Sequence, residues 1–486
     1  MTTSNVRAVR SVAAACVLGL LGDLLLRTGP WSLNLAIWMI VAVTIPAIIV
    51  RGGDTVSPNG PRYWLVALGC VVAALATVVR ASSDVWAFNM VALFTGLAVL
   101  LYEGAGGMVA RATPEAIVLA CWRAALSTAF GAAGLLLGDV EWRGASSTSR
   151  RVLVGGIVAG PIVVVLGALL AAGDPAFAAV VGRVDLQTLI SHLFLWGFFA
   201  WITAGYLRAL VVRPQDPGAG LPTPPRFGVV EVRTVLVAVG LLFALFVGVQ
   251  LRALFGGAAF VTAESGLTFA EYARQGFFQL VAVGALTLGL LVAIDWGNGL
   301  AVGVRALAWG ILALLALILA SAGYRMALYL SLYGLSTTRL YATMAIGWIA
   351  VAAVWFGFTV LRGRRDRFVI GALVAACLWL AVLDVGNPEA FVVDVNVGRA
   401  VAGESFDAEY LTKLSADAVP ALVAALPKLS VIDRCAVVVG LKASRARQRA
   451  GGDWRTWNLA RWRGEQLVAA LDAGTDHPEC LAKPAT

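Results

Sequence analysis

Long apolar runs broken only by short polar segments fill this chain up to Asp384, and a mixed pattern of apolar and polar positions follows. A run of about 20 apolar residues is what crosses a bilayer as a helix. The runs predict spans over 12–26, 31–50, 63–79, 86–109, 116–137, 152–172, 189–212, 235–255, 277–294, 306–322, 341–361 and 368–383. Irregular backbone cannot face lipid, so each is expected to be a helix. Trp31, Trp64, Trp86 and Trp379 fall near span ends, where interfacial anchors belong. Segments 173–187, 213–226 and 256–275 are too polar or too rich in proline and glycine to cross, and read as interfacial or loop segments.

Beyond the spans the pattern predicts four or five short helices. Asn387-Pro388 marks an entry turn, with Pro388 suited to a first helical turn. Asp407 is placed to cap a helix holding Tyr410, Leu411 and Leu414. Ser415 and Asp417 are expected to cap the next, with Pro420 in its first turn, and another helix follows from Ser430 to Gly440. Trp457, Ala460, Gly464, Leu467 and Leu471 share one face of a final helix ending at Gly474. The predicted fold class is therefore all-α: a polytopic membrane helix bundle of about 12 (11–13) transmembrane helices over residues 1–385, with a small soluble α-helical C-terminal domain over 386–486.

Composition agrees with this division. Residues are 60% hydrophobic and 13% charged, far from the globular range. The formal charge of +9 belongs to the membrane part, because the residues from Asn387 onward hold 12 basic against 12 acidic side chains. All four lysines, Lys413, Lys428, Lys442 and Lys483, lie in that neutral tail. A basic excess in short membrane loops is a topology signal, not a nucleic-acid footprint. Arg362, Arg364, Arg365 and Arg367 form its strongest cluster and precede the last span. Cytoplasmic placement of that cluster puts the tail outside the cytoplasm of a cell-membrane protein. The same rule leaves an odd number of spans between Arg62 and Arg143 where an even number is needed, hence the range of counts.

Known chemical motifs do not appear. Neither Cys-x-x-Cys nor His-Glu-x-x-His accompanies His192 and His477, so no metal or cofactor is predicted. The glycines of 104–107 are expected to be packing contacts within a span. Cys16, Cys70, Cys121 and Cys377 lie in apolar runs; Cys435 and Cys480 lie in the tail, and spacing alone does not decide whether they pair.

Some polar groups stand out against the apolar background. Arg325, Tyr329 and Tyr333 are four apart and share one helix face, which suits a polar cavity or a helix contact. Glu271, Tyr272 and Arg274 form a second candidate at a span entrance, where Glu271 can pair with Arg274. Glu103 and Arg123 lie deeper on neighbouring spans, placed to pair as structural glue or as part of a polar pathway. Asp23 and Arg27 are spaced to pair similarly. Trp454, Trp457 and Trp462 exceed what the core of a small helical domain needs, and mark the tail as the surface for an envelope protein or lipid partner.

Several segments carry a family resemblance. They are Gly22-Asp23-Leu24-Leu25-Leu26-Arg27 with Pro30-Trp31; Glu271-Tyr272-Ala273-Arg274-Gln275-Gly276; and Tyr324-Arg325-Met326 through Tyr333-Gly334-Leu335-Ser336 to Arg339-Leu340-Tyr341. The tail adds Asn387-Pro388, Asn396, Arg399, Tyr410-Leu411, the run from Leu414 to Leu422, and Trp457-Asn458-Leu459-Ala460-Arg461. Together they resemble a bacterial multipass membrane family known only as a domain of unknown function, of the forty-one seventy-three and forty-one fifty-three type. The resemblance implies many helices followed by a helical tail, and supplies no reaction or ligand.

The function that fits this pattern best is a non-catalytic cell-envelope component: a sensor, scaffold or accessory subunit. One alternative is a transporter of a small or lipid-like solute, with Glu103, Arg123, Gln250 and Gln279 along its path. Another is a membrane-embedded enzyme acting on lipid-linked substrates through Asp23, Glu264, Glu271 or Asp384.

Overall fold

The computed structural model describes residues 3–50, 60–140, 186–214, 227–265, 277–298, 302–448 and 453–473, with isolated positions between 159 and 174 and Cys480. Every regular element among them is helical. Eleven of these helices are long and apolar enough to cross a membrane, so the protein is a polytopic helical membrane protein. The apolar run at 152–172 and the candidates Glu271, Tyr272 and Arg274 lie outside the described residues.

The apolar helices are α1 (Thr3–Leu26), α2 (Leu33–Val50), α3 (Pro61–Val79), α4 (Ser83–Gly104), α5 (Pro114–Gly134), α6 (Leu186–Leu207), α7 (Val229–Ser265), α8 (Phe277–Asn298), α9 (Val302–Tyr333), α10 (Thr337–Thr359) and α11 (Phe368–Gly386). Two of them run ten or more residues past the C-terminal ends of their predicted spans. The helix α7 continues to Ser265 where a loop is expected from Gly256, because Gly256-Gly257 is followed by alanines and no proline. At 1.5 Å per residue the 32-residue α9 is about 48 Å long, well beyond the ~30 Å of a hydrocarbon core. The expectation that 104–107 packs inside a span holds for Gly104, where a Cβ would lie 2.5 Å from the Leu210 side chain at the end of α4, and is corrected beyond it, where Gly106 turns the chain at φ +88°.

The described chain forms two compact units, one of residues 1–74, 93–107 and 120–217, the other of 75–92, 108–119 and 218–486. In the first, α1 and α6 run in opposite directions and meet through small residues. A Cβ at Gly19 would lie 2.7 Å from the Ala200 methyl, and one at Gly22 would strike the Phe199 ring. The helices α5 and α6 touch backbone to backbone at Gly131 and Gly205, where a Cβ on Gly205 would overlap the carbonyl of Ser127. Lipid offers no hydrophobic force between helices, so such close packing is what holds them.

In the second unit, Leu236, Leu291, Leu315, Ile318 and Phe356 centre an apolar core drawn from α7 to α10. At the start of α11, Arg365 pairs with Glu115 at 2.5 Å and reaches Asp295 at 3.4 Å. After α11 come α12 (Pro388–Val401), α13 (Ala408–Thr412), α14 (Val419–Ala425), α15 (Val431–Gln448) and α16 (Leu459–Ala473). Asp407 caps α13 through Tyr410 N–H, as its sequence position predicts, and Asn387, just before Pro388 in the first turn, caps α12 through Ala390 N–H. Asp417 does not cap α14, which begins on Ala418 without a side-chain cap. Its carboxylate is engaged elsewhere, as described below. Val392, Val393, Leu411, Leu422, Val437 and Leu441 form the tail core, and Leu335 from the α9–α10 turn is built into it. A disulfide joins Cys435 to Cys480.

The packing of α5 on α6 yields a test. Gly205→Leu should abolish monodisperse behaviour in detergent or lower the thermal midpoint sharply, while Gly240→Leu, where no atom lies within 4 Å, should leave both unchanged. Size-exclusion profiles and a thermal-shift assay would report the difference; equal tolerance at both positions would refute the close α5–α6 contact.

Candidate functional site

A helix leaves about four carbonyls at its C-terminus and four N–H groups at its N-terminus without partners. Within the second unit, side chains of the tail satisfy these groups at two membrane-helix turns. The α9–α10 turn is the first. Arg399 on α12 donates to the carbonyls of Leu330, Ser331 and Leu332 at 2.6–3.3 Å. Arg339 on α10 donates to the next two, Tyr333 and Gly334, at 3.0 and 2.7 Å. Two guanidinium forks thus cover five consecutive carbonyls, a task that suits arginine's planar set of donors. Asn396 both donates to the Leu335 carbonyl at 2.7 Å and accepts from its N–H at 3.3 Å. The Tyr410 hydroxyl accepts from Thr337 N–H at 2.9 Å, in the first turn of α10. Gly334 is required here twice over: its φ is +73°, and a Cβ would collide with the Asn396 side chain.

The α3–α4 turn is held in the same manner. Asn458 Nδ2 donates to the carbonyls of Thr77 and Arg80 at 2.9 and 2.8 Å, closing the end of α3. Its Oδ1 accepts from Arg461 N–H, so one side chain also starts α16. The buried Asp417 carboxylate accepts from Ala81 N–H and Ser82 N–H, both at 2.7 Å, at the start of α4. A carboxylate suits this place, because helix N-termini carry partial positive charge. Arg80, 3.6 Å from Asp417, extends to the carbonyls of Asp384 and Val385 at the end of α11. Asn89 on α4 donates to the Asp384 carboxylate at 2.8 Å. Asn387 donates to the Asp417 carbonyl, closing the circuit.

Glu389 lies against this junction and is only 5% exposed. Its carboxylate accepts from the Ser415 N–H and hydroxyl at 2.8 and 2.6 Å. Burial pushes the Glu389 carboxyl above the usual carboxylate range, and the Asp417 charge adds to the rise, against the opposing Ser415 bonds.

The sequence-predicted candidates divide among different environments. Arg325 is buried, and its guanidinium donates to Gln250 Oε1 on α7 at 2.8 Å, beside Ser321, which donates to the same oxygen. Tyr329 and Tyr333 instead stack edge to face with ring centroids 5.1 Å apart. The Arg339 guanidinium lies 4.2 Å from the Tyr329 ring centroid and donates to its hydroxyl. The stripe is therefore a helix contact at one end and part of the turn assembly at the other. Glu103 is half-buried in the last turn of α4, Arg123 is half-buried in α5, and each has polar interactions. Trp454, Trp457 and Trp462 are 62%, 41% and 48% exposed.

Another polar cluster, in the first unit, is only half readable from spacing. Buried Asp23 accepts from Arg27 at 2.6 Å, the expected pair, but also meets His192 Nδ1 at 2.6 Å from 169 residues away. Arg27 donates to the Ser191 hydroxyl as well. A carboxylate on Nδ1 fixes an imidazole's orientation, one of the arrangements in which histidine handles protons. Among the described residues no group of three or more His, Cys, Asp or Glu side chains is arranged to hold a metal.

Three measurements follow from this geometry. Asp417→Ala strands two buried N–H groups and should destabilise the protein by roughly 2–5 kcal/mol, read as a lower thermal midpoint, with Asp417→Asn milder. For Glu389 the sign is worked from linkage: the folded state keeps its proton to higher pH than the unfolded chain, which releases it near 4.5. Stability is then highest below 4.5 and falls as pH rises through the raised folded value. Glu389→Gln should therefore raise the thermal midpoint at pH 8 and make little difference near pH 4.5; a gain of equal size at both would remove the titration account. Arg325→Lys should assemble less well than wild type, because a lysine lacks the fork that reaches Gln250. Wild-type yield and melting for the lysine variant would show that the arginine only snorkels.

Comparison with known proteins gives one family. Its profile, the domain of unknown function DUF4153, matches residues 65–425, which takes in both gripped turns and the tail up to the end of α14. No curated protein and no solved structure matches the chain. With most of its length covered by that profile, the chain belongs to the DUF4153 family.

Proposed function

We propose that this integral membrane protein is a non-catalytic component of the cell envelope, a scaffold, sensor or accessory subunit, with a tail outside the cytoplasm that is mechanically joined to the spans. The observation that carries this reading is the use made of the tail's polar motif residues. Asn387, Asn396, Arg399, Tyr410, Asp417 and Asn458 bond backbone groups of the spans, of the turns between them or of the tail itself. Side chains so engaged fix one part of the protein to another and are not available to a substrate.

The orientation rests on two independent supports. Arginines at 362, 364, 365 and 367 precede α11 and favour the cytoplasmic side, which sends the tail to the other face. The Cys435–Cys480 disulfide belongs to an oxidising compartment. A transporter of a small or lipid-like solute is the second reading, favoured by the part-buried Gln250–Ser321–Arg325 contact between α7 and α9.

Two experiments test these statements. A membrane-impermeant maleimide, added to reduced intact cells or spheroplasts, should label Cys435 and Cys480, with the Cys435→Ser/Cys480→Ser variant as background. Labelling that requires a broken membrane would place the tail inside. Proteoliposomes holding wild type should give no current on a pH or sodium jump beyond that of empty vesicles. A current that vanishes with Arg325→Ala would replace the scaffold reading with transport.

A further inference from the structure

The tail also carries an apolar surface whose depth relative to the membrane is fixed by hydrogen bonds. Trp457 directly precedes Asn458, which bonds the Thr77 and Arg80 carbonyls where α3 ends. Arg80 in turn bonds the carbonyls of Asp384 and Val385 where α11 ends. The stretch from Trp454 to Trp462 is thereby held at the level where two spans leave the hydrocarbon. From the membrane side, this grip is adjoined by outward apolar side chains of the same spans, Val79 on α3 and Val382 and Val385 on α11, 41%, 54% and 83% exposed. In a bilayer those side chains meet lipid. Trp457 adjoins the grip through its neighbour Asn458, which places the tryptophan stretch beside the ends of α3 and α11.

We propose that Trp454 and Trp462, with Trp457 between them, anchor the tail in the lipid headgroup layer of the membrane that the spans cross. Indole suits that layer because a large apolar body carries one N–H donor, and tryptophan concentrates there. The charges around the patch fit a zwitterionic surface. Arg455 is paired with Asp453 at 2.6 Å, and the charges of Arg461 and exposed Arg463 are offset by the Asp417 and Glu465 carboxylates, both of which act on Arg461. The anchor therefore needs no anionic lipid. It would hold the tail against the bilayer on the side away from its own core, while Asn458 and Asp417 hold it to the helix turns.

The test uses the full chain in phosphatidylcholine nanodiscs that contain a lipid with a nitroxide on its headgroup. Emission of the Trp454→Phe/Trp457→Phe/Trp462→Phe variant is subtracted from that of wild type, which isolates the three indoles. The isolated emission should be lost to the headgroup nitroxide and be protected from aqueous iodide, equally with and without phosphatidylglycerol. Quenching by iodide alone would mean a water-exposed surface; quenching by neither would mean protein, a partner or a second copy, covers it. Either result overturns the proposal. If the triple variant fails to assemble, a spin label at Trp462→Cys decides, with Cys16, Cys70, Cys121 and Cys377 changed to alanine. Its collision ratio for oxygen over a nickel chelate should exceed that at Ile432→Cys, an 82%-exposed position on α15. A ratio equal to the reference at 432 would overturn the anchor.

Discussion

The constraint on which the second unit depends is the unsatisfied backbone at helix ends. The α3–α4 turn has three residues between its helices, and so does the α9–α10 turn. Neither can satisfy eight end groups by itself. Water would do so at a bare membrane surface, but a folded tail that covers the turns removes water and must replace its bonds. The choice of side chains follows from the groups to be met. Carbonyl ends receive Arg399, Arg339 and Asn458; N–H ends receive Asp417 and the Tyr410 oxygen; and the peptide of Leu335, donor and acceptor together, receives Asn396, which is both.

This arrangement makes the tail and the turns it grips one cooperative body. Leu335 sits in the tail core, so withdrawing the tail would expose an apolar side chain as well as strand polar groups. A scaffold gains a rigid mount from such a joint. A sensor needs the joint to have a second state, and Glu389, a buried acid beside the Asp417 charge, is a group in it whose ionisation works against the folded joint. The two readings within the proposed function thus differ by whether that junction ever opens.

Local and repetitive features were legible in the sequence, and long-range pairings were not. Spans declare themselves by twenty apolar residues, the cap at Asp407 by its place before an apolar run, and the start of α12 by Asn387-Pro388. The same local signature misleads at Asp417, whose carboxylate serves α4 from 335 residues away. Nothing in its neighbourhood distinguishes the two uses. The ends of α7 and α9 were underestimated because apolarity marks where lipid ends, and a helix can continue beyond it. Among candidate site residues, the i, i+4 pair of Asp23 and Arg27 was readable, whereas His192 completes that cluster only through the crossing of α1 and α6. Arg325, Tyr329 and Tyr333 share one face of α9 by their spacing, but that face spans two environments that only packing distinguishes.

Polar residues in an apolar protein invite a catalytic reading, since each is costly to keep in or near lipid. Here that cost has a structural account for the tail motifs: every one named above bonds a backbone group or starts a helix. Arg325 is likewise engaged with Gln250. The reasoning cannot be extended to His192. Its Nδ1 is held by Asp23, its side chain is 44% exposed, and no helix end needs it there. An imidazole oriented through one nitrogen leaves the other for a proton or a polar group. A search for chemistry in this chain would therefore begin at the α1–α6 contact, where Asp23 meets His192 and Arg27 meets Ser191.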